Sequence, residues 1–271
     1  MATHTNRQDR PIGVFDSGLG GLTVVKALMQ NLPHEDIVYF GDTARVPYGI
    51  KSPEAIVRFS KQNVHVLLHH RVKMIVVACN SSSAYALGAL KKTFNLPIVG
   101  VIEPGAQKAL ETTRKKIVGV IATPATINSR VYCQKIRKLD PAIRVISQPC
   151  PLFVPLVEEG WFRHKVTVAV AREYLKKIKS AQADTLILGC THYPLLKKVL
   201  ADVLGRRITL VDSAHEVALE VKRILSTMGL SVKRQRKGRH RFLVSDAPTH
   251  FKKTAKSFLG TDIKKVSRVK F

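Results

Sequence analysis

Two apolar runs in this chain end in a cysteine followed by polar residues: MIVVACNS at 74–81 and TLILGCTH at 185–192. A thiolate is a base, a nucleophile and a metal ligand, and its ordinary pKa of about 8.5 shifts readily with its neighbours. Each run has four to six apolar residues and precedes a helical pattern, so each reads as a buried strand of a parallel sheet. Cys79 and Cys190 then stand at the carboxyl ends of strands, where open α/β sheets bind their ligands. Two thiols in equivalent contexts predict two half-domains that each offer a thiol to one site. Chemistry that needs a matched pair of bases fits that arrangement. His192, two residues after Cys190, is placed to exchange a proton with it, although a histidine at a strand end also serves as a hydrogen-bonded structural residue.

The other two cysteines read differently. Cys133 falls in a helical pattern and Cys150 lies between two prolines, so packing explains both. Four widely spaced cysteines make no disulfide framework, and without a Cys-x-x-Cys pair no metal site is expected.

The elements that must carry these residues alternate between strand and helix. Residues 11–15 form a strand, and DSGLGG (16–21) a glycine-rich turn into a helix over about 22–31. A strand at 37–40 follows, then a helix to about Arg71 with Ser52 as cap and Pro53 at its first position. After the first cysteine strand come a helix over about 82–94 and a strand at 97–101. The pattern restarts at Glu103-Pro104-Gly105. The run IVGVIATPAT from Ile117 resembles IGVFDSG from Ile12, and Gly13 and Gly119 are separated by nearly the same offset as the two cysteines, which argues for an internal duplication. Beyond the second cysteine strand we expect a helix over 194–204, a strand at 207–211 and a helix opened by the capping box Ser213-Ala214-His215-Glu216. A basic loop, a strand near 242–245, a helix over 248–259 and a last strand near Val266 complete the chain.

The chain has 271 residues, 45% hydrophobic and 24% charged, with a net charge of +26. It is long enough for one large or two modest domains. No apolar stretch is long enough to span a bilayer, and the polar start MATHTNRQDRP lacks the apolar core of a secretory signal, so the cytoplasm is the expected compartment. Residues 222–271 hold 15 Lys and Arg against the two acids Asp246 and Asp262. Clustered cations of this kind bind phosphate backbones, but no nucleic-acid-binding signature accompanies the run KRQRKGRHR (233–241), and a solvated basic loop is the simpler reading. The Gly18-Leu19-Gly20-Gly21 turn lacks both the Lys-Ser/Thr of a phosphate-binding loop and the spacing of a dinucleotide loop, and no lysine is marked for a Schiff base. No cofactor is implied.

Segments spread over nearly the whole chain carry a family resemblance: DSGLGGLTV (16–24), GDTARVPYG (41–49), ACNSSSA (78–84), CPLFVPLVE (150–158), GCTHYPLL (189–196) and FLVSDAPTHFKKTAKSFLG (242–260). In this order they resemble the glutamate racemases of the cofactor-independent aspartate/glutamate racemase superfamily. The resemblance implies that Cys79 and Cys190 are the two bases, supported by Asp16 and His192 respectively. It implies Asp16, Ser17, Tyr48, Gly49, Asn80, Ser81, Thr191 and His192 as substrate-binding residues, and Glu158 as a supporting carboxylate near the site. Asp16 also reads as a helix cap or turn former, Tyr48 as core, Gly49 as a turn residue and Glu158 as a solvated acid. The sequence departs from the family pattern at Ser81, usually threonine, and at Ser82, usually alanine.

Together these readings predict an α/β fold of two pseudo-symmetric, doubly wound domains with mostly parallel sheets and the active site in the cleft between them. Domain one is expected to be discontinuous, residues 1–103 with 211–271, and domain two to span 104–210. The expected activity is cofactor-independent two-base racemisation of L-glutamate to D-glutamate for peptidoglycan synthesis. Aspartate is the alternative substrate, because one methylene is worth only about 1 to 3 kcal/mol of discrimination. From other classes, a cysteine hydrolase built on Cys190 and His192 leaves Cys79 without a role, and a basic nucleic-acid-associated protein retaining the fold accounts for the tail alone. Glutamate is the expected partner; a homodimer is left open, no membrane partner is expected, and nucleic acid is disfavoured.

Overall fold

A computed structural model of the chain describes residues 6–205 and 207–270. Its strands are β1 (Ile12–Asp16), β2 (Ile37–Gly41), β3 (Met74–Val77), β4 (Ile98–Gly100), β5 (Ile117–Ala122), β6 (Arg144–Pro149), β7 (Thr185–Gly189), β8 (Thr209–Asp212), β9 (His240–Val244) and β10 (Val266–Arg268). The helices are α1 (Leu22–Asn31), α2 (Pro53–Leu68), α3 (Asn80–Tyr85), α4 (Leu87–Thr93), α5 (Ile102–Thr112) and α6 (Pro124–Asn128). They continue with α7 (Val131–Leu139), α8 (Phe153–Glu158), α9 (Lys165–Ser180), α10 (Lys197–Leu204), α11 (Ser213–Thr227) and α12 (Pro248–Leu259).

The strands form two sheets, ordered β10-β9-β2-β1-β3-β4 and β6-β5-β7-β8, and every pairing is parallel. The inner order of the first sheet, β2-β1-β3-β4, is repeated strand for strand by the second. Helices cover parallel sheets on both faces, which is why β1, β2, β3 and β7 are buried along their whole length and read as unbroken apolar runs. Matching glycines reinforce the likeness. A Cβ on Gly13 would meet Leu67 of α2 and Ile75 of β3, and one on Gly119 would meet Ile178 of α9 and Leu186 of β7. In both halves the missing side chain lets a helix settle on the central strand.

The tail supplies β9 and β10 to the first sheet, β9 pairing with β2. Its return is fastened by a buried ion pair: Lys73 Nζ lies 2.5 Å from Glu35 and donates to the carbonyls of Gln8 and Leu230, while Val232 N–H donates to the other Glu35 oxygen. With its hydrogen-bonding capacity used, the pair is tolerated where a lone charge would not be.

Several local expectations are corrected. The restart at Glu103-Pro104-Gly105 opens a helix not among those expected: the three residues lie in the first turn of α5, where proline has no intrahelical N–H to lose. The helix expected over 82–94 is two helices, broken at Ala86. Ser83 Oγ there bonds the Val77 carbonyl and the Val101 N–H, drawing the segment onto the sheet. The cap of α11 is Asp212, whose side chain accepts from Ala214 N–H, so the Ser213 capping box does not form. The helix expected over 194–204 opens as a 3-10 turn at Tyr193–Leu196, and α2 ends at Leu68. The expected boundary between 210 and 211 falls inside β8, which pairs with β7. Among the described residues no helix is long and apolar enough to cross a membrane. Residues 1–5 of the polar start lie outside the described residues.

Candidate functional site

The carboxyl ends of the central strands converge on a small cavity of about 30 Å³. It is lined by Ser17, the segment Val46–Gly49, Cys79, Asn80, Ser81, Thr123, Val154, Cys190, Thr191 and His192. Both cysteines therefore face one enclosed space. The register explains why: Phe15 pairs with Val77 on the first sheet and Ile121 with Leu188 on the second, and each cysteine lies two residues past its paired strand residue.

On the first side, Cys79 caps α3 and is 6% exposed. Its thiol is pushed up to about 12, by burial above all and then by the neighbouring Asp16 carboxylate, so it is protonated at neutral pH. Asp16 ends β1 and is fully buried. Burial raises its carboxyl above the usual range, opposed by the positive His192 and by backbone N–H groups of Gly18, Gly21 and Ser17. Its Oδ2 accepts from Gly18 N–H at 3.0 Å and its Oδ1 from Thr191 Oγ1 at 3.5 Å, so Asp16 is tied to the opposite half as well as to its own turn.

On the second side the support is different. Cys190 Sγ lies 3.8 Å from His192 Nδ1, and His192 Nε2 lies 2.9 Å from Glu158 Oε1 at the end of α8. Burial alone would depress the imidazole, but the contacts with Cys190 and Glu158 win and push it up to about 10. The ring of Phe258, on α12 of the tail, meets His192 edge-on at 5.4 Å. Glu158, 31% exposed, thus keeps one side toward solvent and the other on His192.

The remaining lining is rich in short polar groups. Asn80 Oδ1 accepts from the Tyr132 hydroxyl at 2.8 Å, which leaves its buried Nδ2 without a partner and free to donate to a ligand. Ser81 Oγ lies 3.1 Å from Thr123 Oγ1 and 3.3 Å from Thr126 Oγ1, a hydroxyl cluster that bridges the halves. The Tyr48 hydroxyl is engaged elsewhere, by Asp42 and Asn63, so this residue contributes to the cavity wall without offering its phenol. No group of three or more His, Cys, Asp or Glu among the described residues is placed to hold a metal ion.

The glycine-rich turn has a packing explanation. A Cβ on Gly20 would lie 2.2 Å from Thr191 Oγ1 and 2.5 Å from His192 Nδ1, and one on Gly21 would lie 2.4 Å from Asp16 Cβ. Only glycine lets this turn press against the second cysteine's loop. Gly49 likewise sits against Thr123, 2.6 Å from its Cβ if substituted by a larger residue.

Thr123, Thr126, Val154 and Tyr132 were not among the residues expected from sequence. Thr123 had a signal, because it follows β5 as Ser17 follows β1 in the duplicated pattern. Val154 lies in the CPLFVPLVE segment without having been singled out, and Tyr132, which arrives from the surrounding α7, had no signal. The basic run is partly neutralised within the fold: Arg234 pairs with Asp9 and Asp36, and Arg236 with Asp36. Cys150 is buried, as packing predicted.

Comparison with known proteins adds to this geometry. Residues 13–221 match a family model described as Asp/Glu/Hydantoin racemase. A glutamate racemase of Geobacter metallireducens is 49% identical over 260 residues, covering 96% of each chain. Among solved structures, a glutamate racemase from Bacillus anthracis superposes with a TM-score of 0.93 at 37% identity, over 97% of this chain and 98% of that one. One from Francisella tularensis, in complex with D-glutamate, superposes with a TM-score of 0.91 at 41% identity and the same coverage.

Proposed function

We propose that this chain, a member of the Asp/Glu/hydantoin racemase family and a cofactor-independent isomerase, interconverts L- and D-glutamate with Cys79 and Cys190 as its two bases. The observation that carries the reading is that two cysteines, each following the equivalent strand of one of two like sheets, line a single cavity.

Racemisation breaks the Cα–H bond on one face and forms it on the other. A thiolate on one face takes the α-proton, leaving the electron pair on the α-carbon and its carboxylate, and a thiol on the opposite face returns a proton to that carbon. The reverse direction exchanges the roles. Because each cysteine must act as base in one direction and acid in the other, each needs a neighbour that holds or supplies a proton. Cys79 is protonated at rest, and Asp16, itself raised by burial, is the group to which that proton passes. His192, held protonated through neutral pH, serves Cys190.

Two carboxylates and an ammonium of the substrate also need partners. Ser17, Asn80, Ser81, Thr191 and His192, with the Tyr48–Gly49 segment, supply side-chain donors and backbone N–H groups around the cavity. The unpaired Nδ2 of Asn80 is satisfied once a carboxylate oxygen binds. Service to peptidoglycan synthesis completes the proposal. The hydrolase reading leaves Cys79 and Asp16 idle.

Incubation with L-glutamate and with L-aspartate in D₂O tests the substrate. Loss of optical rotation with uptake of deuterium at Cα is expected for glutamate, at a rate at least tenfold above that for aspartate. Faster turnover of aspartate would overturn the substrate assignment.

A further inference from the structure

Resting on the racemase reading, we propose that Asp42 and Ser245 are positioning residues that hold the substrate-facing Tyr48–Gly49 segment in place, so that the C-terminal strand β9 sets substrate affinity from outside the cavity. Neither residue lines the cavity, and the segment they control does.

The Tyr48 hydroxyl donates its one proton to Asp42 Oδ2 and accepts from Asn63 Nδ2 at 3.1 Å. With the phenol spent in this way, the segment has backbone N–H groups to offer an anionic substrate, and these are only as well placed as the phenol that anchors them. Asp42 is fully buried and gathers several contacts at one carboxylate. Arg45 Nε reaches Oδ2 at 2.6 Å, and Ser245 Oγ donates to Oδ1 at 3.0 Å. The backbone N–H of Asp42 donates to the Asp16 carbonyl at 3.0 Å, which joins the hub to the support of Cys79. Arg45 extends it to Asn63 on α2 and lies 4.3 Å over the Phe59 ring.

Ser245 is the hub's link to the tail. It follows β9 directly, its N–H donates to the Gly41 carbonyl, and its Oγ accepts from Ala44 N–H at 2.8 Å while donating to Asp42. One hydroxyl therefore fixes both the carboxylate and the backbone of the 42–46 turn. Beside it, Thr43 and Asp246 exchange two further hydrogen bonds. A connected network of this kind holds its members in one geometry, and loosening one member shifts the others. The basic tail thus has a structural purpose in the site that its charge does not reveal.

Steady-state kinetics on glutamate test this with the full-length enzyme. Ser245→Ala removes the hydroxyl with little change in volume and is expected to raise KM about fivefold, with kcat within about twofold of wild type. Ser245→Thr keeps the hydroxyl and is expected to stay within about twofold in KM. Tyr48→Phe raises KM as well, and because both act through Asp42, the double variant's KM rises by clearly less than the product of the two single effects. An unchanged KM in Ser245→Ala, equal losses in the Ala and Thr variants, or a double variant that matches the product overturns the inference. Wild-type enzyme inert toward glutamate overturns the proposed substrate and this inference together, whereas active wild type with an unaffected Ser245→Ala overturns the inference alone.

Discussion

The two halves of the site share a scaffold but not a chemistry. Strand order, strand glycines and cysteine placement repeat from β1–β4 to β5–β8. The register that matches Phe15 to Ile121 puts Asp16 opposite Ala122, so the carboxylate of the first half has no counterpart in the second. In the same frame Ser81 corresponds to His192. The serine bonds the hydroxyls of Thr123 and Thr126, while the histidine bonds Cys190 and Glu158. Duplication therefore places two thiols symmetrically, and substitution at the neighbouring positions equips one with a buried acid and the other with a buried imidazole. The two thiols stand in matched positions with unmatched neighbours: burial raises the Asp16 carboxyl, while Cys190 and Glu158 raise the His192 imidazole.

The strongest way to break the comparison is to remove either thiol. Cys79→Ala and Cys190→Ala are each expected to lower racemisation by about 10³-fold or more, measured by circular dichroism on either enantiomer. A single variant that kept most of its activity would leave one half without a part in the reaction. Next in size is Gly20→Ala, whose added methyl meets Thr191 and His192 and pushes the first turn from the second cysteine loop. A displacement of that order costs about 10²-fold in turnover, visible in kcat.

Changes to the supporting groups should separate the halves. Glu158→Gln removes the carboxylate that helps hold His192 protonated, and is expected to cost about tenfold in kcat. The alkaline limb of the pH-rate profile should move to lower pH, with Cys79 unaffected. Stability follows the same group. A histidine raised from 6.5 to about 10 contributes stability that is complete below about pH 6.5 and is lost as pH rises through about 10. Thermal melts of wild type and Glu158→Gln should thus converge above that range. Asp16 has the opposite sign: its raised carboxyl makes the charged form costly when folded, a cost relieved as pH falls through the folded pKa. Asp16→Asn is expected to lower activity at pH 7 while raising the melting temperature, and a fall in both would mean that its hydrogen bonds outweigh its burial. The smallest effect is expected outside both halves. Arg236→Ala removes the outer partner of Asp36, which Arg234 still holds, and should leave both the melting temperature and the activity nearly unchanged.

Much of this was legible in the chain. A parallel strand covered on both faces has to be an unbroken apolar run, so β1, β3, β5 and β7 announced themselves, and with them the places of Asp16, Cys79 and Cys190 at strand ends. Helix starts with strong local chemistry, such as Ser52-Pro53, were equally readable. Features decided by competition between neighbours were not: Asp212 caps α11 one residue before the expected serine, and Ser83 breaks a helix by bonding to the sheet. How residues close the site from afar was not legible in local pattern, and Glu158 was named only through the family resemblance. Tyr132 turns the Asn80 amide, Glu158 reaches His192 from the end of α8, and Asp42 takes the Tyr48 phenol away from the cavity. Local periodicity and residue chemistry, properties of a few consecutive residues, determined the sheets and the paired thiols. Which buried acid or imidazole stands beside each thiol, and which polar groups stay free for a ligand, depend on distances between segments far apart in the chain, and those exist only once the two sheets have packed together.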